Sequence, residues 1–386
     1  MTSILKVNQI QDIGGNTIVS SDGSGGFTNN LPAGKSGSFR NIIINGDMSI
    51  AQRGTSATGL GNGDSGYNTV DRWRFTELGA PTYEFTQTQD TDVPTGQGFA
   101  TSLKMDCTTA QGSLATGDVI QFNRRFEGQN LQFLKKGTAN AESTTLSFWV
   151  KSNKTGTYIV ELRDIDNSRT INKSYTIDSA STWEKKIIIF AGDTTGTFDN
   201  DNERSLDINF WLGAGTDFTS GILATSWESL TNANRAVGQV NLADNTANNF
   251  WITGVQLEAG TTASDFEFLP YDINKQRCFR YYELVADGVS LPITNAAALN
   301  TTKAYGIITF NTSKRTTPSL DQVSGTDIYR FYNNLGDDRF NDFDIAIITT
   351  ERARISNGDN FAVTTGHAGW FETNDASCYV ALDAEL

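Results

Sequence analysis

Two segments, "STTLSFWVKSN" and "RSLDINFWLGAG", constrain the fold more than any other part of the chain. In the first, Leu146, Phe148 and Val150 point one way while Thr145, Ser147, Trp149 and Lys151 point the other. In the second, Leu206, Ile208, Phe210 and Leu212 lie opposite Asp207, Asn209 and Trp211. Alternation with period two puts successive side chains on opposite faces of a strand. A strand with one wholly apolar face requires a second layer to cover that face. "GTYIVELRDID" and "EKKIIIFAGD" add two more such strands. Short β-branched and aromatic runs recur between clusters of Gly, Thr, Asn, Asp and Ser, and helical stretches are nearly absent, so the class is all-β with sandwich architecture. Only "PYDINKQRCFRYYE", Pro270 to Glu283, reads as a helix, with Pro270 at its start and Asp272 in its first turn.

At 386 residues the chain is too long for one compact core. Three parts separate. Residues 1–40 hold one short alternating segment whose apolar residues Leu5, Val7, Ile10 and Ile13 are too few to build a core locally. They either bury against another chain, as an attachment arm does, or form an unstructured leader. Residues 41–283 form the large β-sandwich. Residues 284–386 form a smaller C-terminal β domain, reached through "ELVADGVSLPITNAAALNTT", which is expected to join the two. "TSKRTT", around Lys314 and Arg315, reads as a solvated turn.

With 44 acidic and 30 basic residues the net charge is −14, which repels phosphate backbones and argues against nucleic-acid binding. No segment resembles a signal peptide, and the longest apolar runs are too short to span a bilayer, so neither export nor membrane insertion is expected. Cys107, Cys278 and Cys378 are far apart and form no CxxC pair, which suits buried thiols rather than disulfides or zinc. One histidine, His367, sits in a turn-like "TTGHAGW" and excludes an HExxH site. The glycine-rich "GLGNGDSG" and "GSGG" lack the helix and GK[ST] of a phosphate loop.

The stretch "FWITGVQLEAGTTASDFEF", Phe250 to Phe268, gathers Glu258, Asp265 and Glu267 behind a dense apolar run. A glycosidase needs two carboxyls facing across a cleft. Here Glu258 falls at a turn and Asp265 and Glu267 alternate with Phe266 and Phe268, as solvent-facing residues of a half-buried strand do. No catalytic residue is expected. Gly254 marks a bulge where the buried face switches. Trp149 and Trp211 lie opposite the apolar stripes of their strands. If those strands are neighbours, the two rings make a flat stacking platform for sugar, beside Asp207 and Asn209. The alternative is that both pack beneath loops or another subunit. Trp73, Trp183, Trp227, Trp251 and Trp370 are expected at core or corner positions.

With the strands placed, the chain resembles the tail-fibre and related appendage proteins of marine podophages. "SILKVNQIQDIGGNTI" resembles their virion-attachment leader. "RNIIINGDMSIAQRGTS" with "DRWRF" resembles the start of a jelly-roll module similar to carbohydrate-binding modules, and "ITGVQLEAGTTASDFEF" through "CFRYYE" its end. "SKRTTPSL" and "YVALDAEL" resemble the small C-terminal domain of such proteins. The resemblance implies a structural virion protein that attaches through its N-terminal arm to other tail or capsid proteins, self-associates as a homotrimer and meets host-surface glycan. A head or tail decoration or adaptor without glycan binding is the alternative, and a polysaccharide depolymerase the weakest reading. Modules of this kind often hold structural calcium on an Asn-Gly-acid turn and an acid of the last strand. Asn45, Gly46 and Asp47 keep the turn, but Thr253 and Gly254 stand near the acid's place, and losing a charged ligand weakens such a site, so no metal or cofactor is expected.

Overall fold

The computed structural model describes residues 7–11, 15, 17–21, 23–24, 27–29, 39–358 and 361–386. The fold is all-β, and every strand pairing among the described residues is antiparallel. Gln9–Gln11, Thr17–Ser21 and Phe27–Asn29 form a three-stranded sheet. Val7 and Ile10 are 52% and 54% exposed there, whereas Leu5 and Ile13 lie outside the described residues.

The large sandwich is built from two sheets. Sheet A runs Glu184–Phe190, Thr144–Ser152, Asn249–Ala259, Ser102–Thr109, Glu84–Asp90, Ser56–Leu60. Sheet B runs Glu228–Ser229, Arg169–Ile177, Gly156–Asp164, Arg204–Ala214, Val119–Glu127, Arg74–Leu78, Gly66–Tyr67. The apolar faces read from the sequence meet in the core: Phe122 and Phe210 of sheet B stack at 4.9 Å, and Phe148 of sheet A meets Phe210 edge-on at 5.3 Å. In Asn249–Ala259, Phe250, Ile252, Val255 and Leu257 all reach this core. Their spacing breaks strict alternation because Gly254, at φ +61°, carries a bulge opposite Ser147–Trp149 that restores the inward phase. A side chain there would run into the Phe99 ring, at 2.5 Å.

The helix is shorter than the sequence reading, Tyr271–Phe279. Tyr282–Asp287, expected to end the helix and begin the joining segment, is instead a strand paired with Tyr379–Asp383. The rest of the expected joining segment contributes Pro292–Ala298, a central strand of the second domain. Its alternating Ala296 and Ala298 are buried, and small side chains on one face had disguised a strand as a linker. The C-terminal domain is thus a three-stranded sheet C (Tyr282–Asp287, Tyr379–Asp383, Ser319–Gln322) against a seven-stranded sheet D. Sheet D runs Gly336–Phe340, Tyr329–Asn333, Ala368–Thr373, Pro292–Ala298, Ala304–Thr309, Arg352–Asn357, Phe343–Ile348. Phe331, Phe340, Phe343 and Phe371 pack edge-to-face between them.

Lys314 and Arg315 are buried, not solvated. Lys314 pairs with Glu283. Arg315 donates to the carbonyls of Asn202 (3.0 Å), Ala384 (3.0 Å) and Glu385 (3.1 Å), so it ties the sandwich to the last residues of the second domain. Arg53 stacks on Tyr282 at 3.5 Å and pairs with Asp383 at 3.1 Å, while Arg72 pairs with Glu385 and covers the Tyr281 ring at 3.4 Å. Arginine suits such sites because its planar group stacks on a ring while its edge donates to oxygens.

Candidate functional site

The two tryptophans expected to make one platform lie on different sheets. Trp149 belongs to sheet A and Trp211 to sheet B. Because the apolar faces of their strands look at each other across the core, the outward faces look in opposite directions. Trp211 is fully buried beneath a cover formed by the short helix Thr216–Thr219 and the segment around Ala236. Phe218 lies 5.6 Å from its ring and the Arg235 guanidinium 5.2 Å. Asp207 and Asn209 are buried too. Arg204 pairs with Asp207, and Asn209 donates to Glu161 at 2.9 Å. Glu161 also takes Arg235 in a two-pronged ion pair, at 2.7 and 2.9 Å. Burial raises its carboxyl, but the Arg235 charge and the hydrogen bonds from Arg235, Asn209 and Thr170 together outweigh burial and hold it below the ordinary range. These residues therefore form a closed internal network.

Trp149 stands half-buried on the outer face of sheet A, next to Lys185 and Thr253 in register. Trp183 and Trp251, expected at core or corner positions, flank it on the same face. Lys151 lies 4.2 Å from Trp251 and 5.5 Å from Trp183, and Lys104 lies 5.3 Å from Trp251. The indole N–H groups are taken by Asp92 and Asp90 at 2.9 and 3.0 Å. Lysines over the Trp251 and Trp183 rings leave little room there for a ligand, so this row is a ladder within the sheet.

The suspect carboxylates are fasteners. Glu258, far from being an exposed turn residue, is buried and accepts from Ser264 N and Oγ, both at 2.7 Å, closing the loop after its strand. Residues 261–270 form no strand, and Glu267 accepts from the backbone N–H groups of Phe39 (2.7 Å) and Asn41 (2.9 Å). Asp265 is exposed. In the Asn45–Gly46–Asp47 turn, Asn45 is spent on Ile50 and Asp71 main-chain groups, and Asn274 donates to Asp47 at 3.1 Å. Among the described residues no three His, Cys, Asp or Glu side chains gather as a metal site.

Sheet D carries an aromatic pair open to solvent. Tyr332 and Trp370 are cross-strand partners, 39% and 38% exposed, with ring centres 5.0 Å apart. Trp370 had been expected at the core or a corner. Alternation places it outward, since Phe371, its neighbour, is fully buried. The pair is braced from below. Glu372 accepts from Trp370 Nε1 at 2.7 Å and pairs with Arg330, whose guanidinium sits 5.7 Å from the Tyr332 ring. Asn295 stands beside Trp370 and Asp337 beside Tyr332 in register, both with polar groups at the edge of the rings. Asp337 is held below the ordinary carboxylate range, chiefly by its hydrogen bond from Arg339. A braced aromatic surface rimmed by donors and acceptors can stack on the apolar face of a pyranose while bonding its hydroxyls. The clue was in the sequence: in "DIYRFYN" and "HAGWFET" an aromatic occupies the polar phase of an alternating strand.

No protein family and no curated protein matches the sequence. Among solved structures, similar chains include the enzymatically active domain of bacteriophage CBA120 tailspike protein 4, at 16% identity, covering 52% of this chain and 21% of that one, TM-score 0.30. This chain thus matches about a fifth of the tailspike chain. A family 11 carbohydrate-binding module from Clostridium thermocellum, in complex with a β-1,3-1,4-mixed-linked tetrasaccharide, matches at 12% identity over 54% of this chain and 98% of that one, TM-score 0.27. A xylan-binding domain from carbohydrate-binding module family 22 matches at 15% identity over 55% of this chain and 98% of that one, TM-score 0.26.

Proposed function

We propose that this chain is a structural virion appendage, a non-enzymatic tail fibre or related attachment protein, that meets host-surface glycan through the Tyr332–Trp370 surface. The observation that carries the reading is the braced, exposed ring pair on the open face of sheet D. In this reading the protein folds in the host cytoplasm and joins the particle through residues 1–40. It acts as a homotrimer, as its sequence resemblance to phage fibres implies. Repeated copies let weak single sites act together, with avidity gains of about 10²–10⁴.

The test is binding of purified protein to host cells and to arrays of neutral glycans, with Trp370→Ala and Trp149→Ala compared. Trp370→Ala should lower single-site affinity by about tenfold or more, which is 1.4 kcal/mol. Trp149→Ala should leave it unchanged. Native protein that ignores cells and glycans but docks onto particles lacking it would replace this reading with that of an adaptor.

A further inference from the structure

The arginines at the junction of the sandwich and the helix outnumber the acids there. A hollow of about 290 Å³ is lined by Arg124, Arg125, Arg277 and Arg280 and, among the described residues, by a single acid, Glu127. Arg125 follows Arg124 on its strand and so turns its side chain to the opposite face, across from Asp207, which leaves three positive charges less one negative, +2. This concentration stands out in a chain whose net charge is −14. Glu127 has no capacity to spare, since it accepts from Arg280 Nε and Nη2 at 2.8 and 2.6 Å, from the Tyr281 hydroxyl and from Gln129 at 2.6 Å.

Among the described residues the other three arginines donate to main-chain oxygens; Asp207 faces Arg125 across the strand pair and Glu267 acts on Arg277, whereas Arg124 has no carboxylate near it. Arg124, 1% exposed, reaches Arg72 O at 3.2 Å, and its Nε has no partner. Arg125 donates to an oxygen of Leu386, and its Nε is likewise unpartnered. Arg277 makes a long contact of 3.5 Å to Asn41 O. The ion pairs of this region are Arg280–Glu127 and Arg72–Glu385. Burying a guanidinium without a counter-charge costs several kcal/mol, and arginine scarcely escapes the cost by losing its proton. Such an arrangement persists where an anion arrives to complete it.

We infer that this hollow is an oxyanion-binding pocket that takes a phosphate group or a sugar carboxylate. The guanidinium fork matches the spacing of oxyanion oxygens and favours two-pronged contact. Phe39 and Phe133, 58% and 50% exposed, stand at its rim and offer apolar walls to the ligand's carbon skeleton. The volume is that of a small-ligand site. The inference is independent of the glycan platform, which lies on sheet D of the other domain.

Calorimetric titration of the full chain in low-salt buffer, with inorganic phosphate and separately with glucuronate, tests it. At least one anion should bind with a dissociation constant of about 1 mM or tighter, and binding should weaken as sodium chloride is raised. Tighter phosphate binding assigns a phosphoryl ligand and tighter glucuronate binding a sugar acid. Arg277→Met should weaken binding by about tenfold or more, while Arg354→Met, exposed on sheet D, should not. Arg124→Met should abolish binding and raise the melting temperature of the unliganded protein, because it removes an uncompensated buried charge. Failure of both anions to bind, unchanged binding in the two pocket variants, or a lower unliganded melting temperature in Arg124→Met would overturn the assignment.

Discussion

Replacing Glu161 by Met tests whether the outer side of sheet B is the closed network described above. Glu161 is 0% exposed and accepts four hydrogen bonds, two from Arg235, one from Asn209 and one from Thr170, all between 2.7 and 2.9 Å. Met keeps the volume but strands Arg235, itself only 6% exposed. Breaking one side of a buried pair costs about 3–5 kcal/mol. The double variant Glu161→Met/Arg235→Met removes both charges. Thr170 then retains a hydrogen bond to Asn172 at 3.2 Å, so Asn209 is the main group left short, at about 1–3 kcal/mol. The double variant should therefore be more stable than the single one, with a coupling of about 2 kcal/mol. Urea unfolding followed by tryptophan fluorescence measures this, Trp211 being 5.2 Å from the Arg235 guanidinium. The pH dependence has a definite sign. Because the folded carboxyl titrates below the ordinary 4.5, its contribution is full above that pH and is lost as pH falls through the lower folded value. The Glu161→Met variant should lack this part of the acid sensitivity. A single variant costing under about 1 kcal/mol, or a double variant as unstable as the single, would refute the claim that this pair holds the cover over Trp211.

Two further outcomes follow from close contacts. Gly46→Ala would place a Cβ 2.1 Å from the Val255 carbonyl oxygen, a main-chain atom with no room to yield, so the urea midpoint should fall sharply; an unchanged midpoint would mean that the Asn45–Asp47 turn does not press on the bulged strand. Arg315→Met removes the donation to Asn202, which crosses between the domains, along with those to Ala384 and Glu385, which hold Arg315 within its own, and calorimetry should then resolve two unfolding transitions in place of a coupled one; a single unshifted transition would show that Arg315 does not couple them.

What alternation revealed, and what it left out, differs between faces of the same strand. The inward residues Leu146, Phe148, Val150, Leu206, Ile208 and Phe210 were legible because burial of one face is written directly as period two, and all of them reach the core. The outward residues carry no such signature. Whether Trp211 meets solvent depends on residues 216–236, which follow its strand in the chain but fold back over the sheet. Whether Trp149 neighbours it depends on strand order, which a pattern of one strand cannot encode. Geometry alone excludes a platform shared by Trp149 and Trp211. Two strands whose apolar faces pack together across a core must turn their other faces apart, so a tryptophan on each outward face cannot build a shared platform unless both strands lie in the same sheet. Tyr332 and Trp370 satisfy that condition, on adjacent strands in direct register.

The basic residues were illegible for a related reason. Lys314 and Arg315 sit in a polar turn-like string, and composition gave no sign that Glu283, Ala384 and Glu385 would close around them from distant positions. A charge is solvated or buried according to its long-range partners, so sequence locates the charge and not its environment. The same logic separates the two arginine groups at the domain junction. Arg53, Arg72 and Arg315 have carboxylates or several carbonyls to meet and are accounted for by the joint itself. Arg125 has Asp207 across the strand pair and Arg277 has Glu267 nearby, but Arg124 has only the Arg72 carbonyl, and the joint alone gives no reason for its charge. A structural role would be served as well by methionine or leucine at position 124, without the desolvation cost, which is why the unliganded stability of Arg124→Met separates a packing role from a binding one.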